Sequence, residues 1–146
     1  MTDERQRVDL RIDARWFVPI DIDGVLEGHA LLIDAERIVA LVPRAEADLR
    51  FAPVERVELA RHAVMPGLVN AHTHGAMCLL RGIADDVALD PWLREHIWPR
   101  EVAHLSPEFV YDGTLLAAAE MLCGGTTCCN DMYFHSGSAA RAYLAA

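Results

Sequence analysis

The sequence predicts an α/β fold in two parts, a small β-rich unit over residues 1–62 and a strand–helix–strand unit over residues 63–146. Three observations support this division. Short segments of the N-terminal part alternate apolar and polar residues, which is typical of strands. An almost wholly apolar run then ends at His72-Thr73-His74. After it, a helix start signal at Ser106 is followed by a further strand candidate.

The first strand candidate covers residues 8–18, where apolar side chains share one face and polar ones, including Arg11 and Asp13, share the other. This alternation predicts a half-buried antiparallel strand. Shorter candidates follow at residues 27–33, 38–42 and 54–59. None of these segments carries a cluster of catalytic residue types, so the N-terminal unit is predicted to be a scaffold.

The second unit begins with an apolar strand that ends at His72 and His74. Side chains alternate along a strand, so the two histidines point to one face with Cα atoms roughly 6–7 Å apart. Two imidazoles so placed can converge on one metal ion, whereas two exposed histidines without a ligand would show the same spacing. The apolar run favours a parallel strand buried on both faces, which meets substrate only at its C-terminal end.

A helix is predicted from Ser106 as N-cap, with Pro107 at the first helical position and Glu108 complementing the helix dipole. It should run to about Cys123 and end at two glycines, which suit a left-handed cap. Residues 126–132 then form a short strand. Strand, helix and strand make one right-handed βαβ unit with a parallel strand pair.

A long connection over residues 75–105 separates the His-x-His strand from this helix. Connections of this length are uncommon in compact domains and are usually functional. Residues 90–98 predict a short amphipathic segment within it, ending at Pro99.

Composition excludes several functional classes. The chain has 146 residues and a net charge of −9, without a cluster of Lys or Arg, which argues against nucleic acid or an anionic membrane as partner. Its longest apolar stretch, residues 115–123, is too short to span a bilayer, and its polar start lacks the apolar core of a signal peptide. The four cysteines show no disulfide spacing, so we expect reduced thiols in the cytoplasm.

Residues 65–74, Met-Pro-Gly-Leu-Val-Asn-Ala-His-Thr-His, resemble the first-strand signature of the amidohydrolase superfamily. More narrowly, they are similar to the branch that holds methylthioadenosine/S-adenosylhomocysteine deaminases and chlorotriazine hydrolases. The resemblance implies the N-terminal portion of a (β/α)8 TIM-barrel metal-dependent hydrolase, preceded by part of a small β-sandwich domain. A complete barrel needs about 250 residues, so residues 63–146 supply only its first two β/α units.

The same resemblance implies one divalent metal ion, zinc or alternatively iron, with His72 and His74 as two of its ligands. It implies that Trp92 and Glu101 line a nucleoside site, with Glu101 accepting hydrogen bonds from the ribose hydroxyls. The family's other metal ligands and its glutamate proton shuttle would lie beyond Ala146. The chain is therefore expected to carry no catalytic acid or base and to be inactive alone.

The activity implied for the complete protein is hydrolytic deamination of 5′-methylthioadenosine or S-adenosylhomocysteine to an inosine analogue and ammonia. The alternatives are a chlorotriazine hydrolase, a guanine or other ring deaminase, and a non-catalytic fragment that needs a partner chain. A small nucleoside is the expected ligand, and a homo-oligomer the expected assembly. Asp131 and His135 resemble the family's second-strand segment but receive no catalytic role.

Overall fold

The computed structural model describes residues 4–146, which divide into two compact units between Pro66 and Gly67. The first unit contains β1 (Gln6–Phe17), β2 (Leu26–Glu27), β3 (His29–Asp34), β4 (Arg37–Pro43), α1 (Arg44–Arg50) and β5 (Phe51–Val64). The second contains β6 (Leu68–Thr73), α2 (Leu89–Pro91), α3 (Trp98–His104), α4 (Pro107–Cys123), β7 (Thr126–Asp131) and α5 (Ser136–Ala145). Among the helices of residues 4–146, none combines the length and the hydropathy of a membrane-spanning segment.

The first unit is built on one five-stranded mixed sheet. Strand β1 lies at its centre, antiparallel to β2 and β3 on one side and parallel to β5 on the other. Strand β4 pairs antiparallel with β3 and leads into α1. Ala47 of α1 packs into an apolar cluster with Val8, Leu32 and Phe51, so the helix covers one face of the sheet.

The strand predicted over residues 8–18 is present as β1, and it pairs antiparallel with β2 and β3 as expected. It differs from the prediction in pairing parallel with β5 as well and in burying polar residues along with apolar ones. Arg11 and Asp13 are only 2% and 3% exposed. The Nε of Arg11 donates to Asp13 Oδ2 at 3.0 Å, and Arg56 Nε donates to the same oxygen at 2.7 Å. Buried charges are tolerated when they are paired in this way, and an alternating pattern cannot reveal the pairing.

In the second unit, β6 and β7 form a parallel pair joined through α4, as the sequence predicted. Helix α4 starts where expected, with the Ser106 hydroxyl accepting from the Phe109 N–H at 3.1 Å. It ends at Gly124, and Gly125 follows with a φ of +83°, the left-handed conformation that glycine adopts without strain.

Strand β6 is not buried on both faces as expected, since Leu68 is 50% exposed and Val69 is 68% exposed. A parallel strand becomes fully buried only when neighbouring strands and helices cover both of its faces. Within residues 4–146, β6 pairs with β7 alone.

The connection between β6 and α4 is more ordered than the sequence indicated. A 3₁₀ turn covers Gly75–Leu80, and a helical segment runs from Leu89 to His104 with a π-helical stretch, Trp92–Ile97, in its middle. The expectation that the helix ends at Pro99 is wrong. The proline falls in the first turn of α3, directly after the π-helical stretch. Its missing N–H is tolerated at such a position.

Candidate metal and substrate site

His72 and His74 lie at the C-terminal end of β6, where the structure brings their rings together. The ring centroids are 5.1 Å apart and the ring planes meet at 77°. His72 is exposed and His74 is half-buried, so one imidazole faces solvent while the other rests against the protein. The two imidazoles are therefore neighbours at the end of this strand.

The end of β7 orients His74. The Nδ1 atom of His74 lies 3.1 Å from the Met132 carbonyl oxygen, and the Met132 N–H donates to the Thr73 carbonyl at 3.0 Å. When Nδ1 carries the proton and donates to Met132, Nε2 keeps its lone pair for a metal. A histidine whose other nitrogen is held by a carbonyl is the usual arrangement of a metal ligand, because the bond sets both tautomer and ring orientation.

The histidine pair fits part of a zinc site. Catalytic zinc is held by three protein ligands and keeps one open position for water or substrate. Within residues 4–146, no group of three or more His, Cys, Asp or Glu side chains is arranged to hold a metal. His72 and His74 therefore match two ligands of such a site, and a complete one requires donors from outside the described residues.

Tyr133 connects the histidine pair to Glu101. Its hydroxyl donates to Glu101 Oε1 at 2.6 Å, and its ring centroid lies 5.9 Å from that of His74. Burial raises the pKa of the Tyr133 phenol, and the hydrogen bond to Glu101 raises it further, so the group remains a donor at neutral pH. Within residues 4–146, the structure thus links Glu101 to His74 only through Tyr133, a residue that sequence reasoning missed. The available signal was the position of Tyr133, just beyond a parallel strand's C-terminal end.

Trp92 is not brought into this cluster by any polar or ring contact among the described residues. Its indole N–H donates to the Ile83 carbonyl at 3.2 Å, within its own connecting segment. The ring is half-buried. The contacts of Trp92 therefore stabilise the connecting segment.

Asp131 also lies at this end of the sheet, on the last position of β7. Its Oδ2 accepts from the Gly75 N–H at 3.2 Å and from the Tyr143 hydroxyl at 2.8 Å. His135, by contrast, is exposed and adopts a φ of 49° as the residue before α5. Asp131 is thus part of the structure that supports the site, whereas His135 forms a helix boundary.

Known proteins resemble this chain in sequence and in fold. The sequence model of the amidohydrolase family matches residues 63–146. A 5-methylthioadenosine/S-adenosylhomocysteine deaminase from Saccharophagus degradans is 47% identical over 135 residues, which make up 92% of this chain and 30% of that protein. The chain therefore spans under a third of the length of that relative.

Solved structures also resemble this chain over about a third of their own length. An adenosine deaminase from Xanthomonas campestris, crystallised with bound zinc, is 52% identical with a TM-score of 0.92, over 97% of this chain and 32% of that one. A mutant atrazine chlorohydrolase from Arthrobacter aurescens shares the fold at 19% identity and a TM-score of 0.82, over 93% of this chain and 33% of that one. The family match covers more than half of the sequence and includes both histidines, and the chain belongs to the amidohydrolase family.

Proposed function

We propose that the whole protein is a metal-dependent hydrolytic deaminase of adenosine-type thioether nucleosides, 5′-methylthioadenosine or S-adenosylhomocysteine. This chain would supply part of a small β-sandwich and the first two β/α units of a TIM barrel. One observation carries the proposal: a chain of contacts runs from His72 to His74, from His74 to Tyr133 and from Tyr133 to Glu101. It starts at the C-terminal end of the parallel pair β6 and β7. Parallel α/β enzymes place their active sites at that end.

His72 and His74 would hold one zinc ion, with iron as the alternative. When bound, the ion lowers the pKa of a coordinated water towards about 7, which supplies a nucleophile near neutral pH. Within this chain, the Met132 carbonyl would keep the His74 ring aimed at that ion. We assign the remaining ligands and the proton-transferring acid to parts of the protein outside this chain.

Glu101 would recognise the ribose. A carboxylate has two oxygens and about four lone-pair positions, so the bond from Tyr133 to Oε1 leaves Oε2 free to accept from vicinal hydroxyls. Such charge-assisted bonds are about twice as strong as neutral ones. A triazine or a free base has no ribose, so the same carboxylate would be unused by the alternative substrates.

Trp92 would lie along the nucleoside's 5′ side, on the helical segment that also carries Glu101. The two thioether nucleosides differ only beyond their 5′ sulfur, so Trp92→Ala would change their ratio of kcat/KM if the ring covers that group.

We extend the proposal to a homo-oligomer in the cytoplasm that takes a small nucleoside, without nucleic acid or membrane as partner. The four cysteines are all free thiols, which agrees with a reducing compartment.

The test measures ammonia release by the full-length protein from both thioether nucleosides, adenine and guanine, and chloride release from a chlorotriazine. Glu101→Gln should lower kcat/KM for the nucleosides by roughly 30-fold, equivalent to about 2 kcal/mol, and leave free bases little changed. Glu95→Gln, an exposed glutamate of the same helical segment, is the matched control. Nucleoside rates within about twofold of wild type would exclude the ribose role and favour a triazine-type substrate. Release of neither ammonia nor chloride from any of these compounds would favour a non-catalytic chain.

A further inference from the structure

The turn that follows the two histidines is held by a carboxylate from the neighbouring strand. Asp131 Oδ2 accepts from the backbone N–H of Gly75, the residue directly after His74, at 3.2 Å. The same oxygen accepts from the Tyr143 hydroxyl of α5 at 2.8 Å. One oxygen atom therefore joins β7, the His-x-His turn and α5.

Glycine at position 75 lets the side chains of this junction approach the backbone closely. A Cβ placed on Gly75 would lie 2.6 Å from the Tyr143 hydroxyl oxygen and 2.8 Å from Asp131 Oδ2. Neither approach is compatible with a real Cβ, so an alanine here would displace the tyrosine, the carboxylate or the turn. The backbone next to His74 and the Asp131 carboxylate are thus fitted to each other.

The second carboxylate oxygen of Asp131 lies buried beside the same turn. Oδ1 is buried and has no hydrogen-bond partner among the described residues. A buried carboxylate that is only partly paired is costly unless a nearby positive charge offsets it. The proposed cation at His72 and His74 lies at the same end of the sheet and would provide that charge.

We infer that Asp131, fixed by Tyr143, is a positioning residue for His74 that strengthens metal binding, an inference that rests on the proposed function. It holds the main chain after His74 through Gly75, while the Met132 carbonyl holds the ring. Residues at the end of β7 then fix both the backbone and the imidazole orientation of His74. Groups that support a metal ligand in this way typically change metal affinity by about 10–100-fold when they are removed.

The experiment measures zinc affinity of the metal-free, full-length protein by competition with a chromogenic chelator, without substrate. Asp131→Asn should weaken zinc binding by about tenfold or more. Tyr143→Phe should weaken it in the same direction, and the visible spectrum of the cobalt-substituted protein should shift in both variants. Tyr111→Phe is the matched control, because Tyr111 is equally half-buried but its hydroxyl makes no hydrogen bond within residues 4–146.

Thermal unfolding of the metal-free variants separates positioning from general destabilisation. Tyr143→Phe retains the aromatic ring. If Asp131→Asn does not fold, the zinc affinity of Tyr143→Phe tests whether this pair of residues positions His74. Zinc affinity within about twofold of wild type and an unchanged cobalt spectrum in the folded variants would overturn the inference alone. A wild-type protein that binds no zinc would overturn the proposed function, and this inference with it.

Discussion

The Tyr133 hydroxyl and the Glu101 carboxylate are joined by a hydrogen bond of 2.6 Å across 32 positions of sequence. The bond connects the end of β7 to helix α3, and it places Glu101 beside the ring that faces His74. A side chain held in its binding orientation before the ligand arrives loses less conformational entropy on binding. The metal and substrate halves of the proposed site are therefore organised by one tyrosine.

Tyr133→Phe should raise KM for the thioether nucleosides and leave bound zinc unchanged. The substitution keeps the ring against His74 and removes only the donor to Glu101, so the carboxylate is freed to rotate. Hydrogen bonds to charged groups contribute about 1.5–3 kcal/mol, so a loss of about tenfold in kcat/KM is expected. Steady-state kinetics on nucleosides and adenine, with Tyr111→Phe as control, measures it. An equal loss for adenine would contradict the preorganisation of Glu101.

His72→Ala and His74→Ala should each remove most of the bound metal and nearly all turnover from the full-length protein. Each substitution deletes one of the two imidazoles whose rings lie 5.1 Å apart. Elemental analysis of the purified variants reports the metal directly. His62→Ala, at an exposed histidine of β5, provides the control. Stoichiometric zinc in both active-site variants would show that neither histidine is a ligand.

The 146-residue chain in isolation should self-associate. Strand β6 exposes 68% of Val69, and Phe134 and Leu144 are 57% and 88% exposed in the same unit. Exposed apolar surface beside an unpaired strand edge is an association site. Sedimentation of the isolated chain should show species larger than a monomer, and Val69→Lys should reduce them. A monodisperse monomer with a cooperative thermal transition is the contrary result.

The ion pair between Asp48 and Arg11 should stabilise the first unit near neutral pH and lose this effect in acid. The hydrogen bond from Arg11 lowers the pKa of Asp48 below its ordinary 3.8, so the folded state favours the charged form. Its contribution is fully present above that value and is lost as the pH falls through the lower folded pKa. The melting temperature of Asp48→Asn should lie slightly below wild type at pH 7, because the pair is partly exposed.

The same difference in melting temperature should shrink as the pH is lowered towards 3. Asp21→Asn, at an exposed aspartate of the same unit, should show no such convergence with wild type. A constant gap between Asp48→Asn and wild type from pH 7 to pH 3 would contradict the ion pair with Arg11.

Features with local signals were predictable from sequence. The cap at Ser106 and the end of α4 at its glycines depend on neighbouring residues, and the structure confirms them. The parallel pairing of β6 with β7 was predicted from the order strand, helix, strand, and the structure confirms it too. The pairing of His72 with His74 follows from the two-residue period of a strand, and the structure brings the rings together. Their metal role, like that of Glu101 towards ribose, remains a prediction.

Features that depend on distant contacts were not predictable. Arg11 and Asp13 read as an exposed polar face, because their burial depends on partners such as Arg56 from another strand. Tyr133 carries no motif of its own, and its bond to Glu101 exists only once the connecting segment has folded as a helix. Pro99 normally marks a helix end, and only the stretch before it shows why the helix continues.

That π-helical stretch, Trp92–Ile97, decides in which direction Glu101 points. Adding or removing one residue in a helix rotates everything beyond it by about 100°. The wider turns of a π-helix change the angular phase that α3 inherits at Trp98. Removing one residue here would turn Glu101 by about 100° about the helix axis relative to Tyr133, without changing the identity of either residue. The direction of the Glu101 side chain thus depends on the number of residues in the helical segment as much as on their identity.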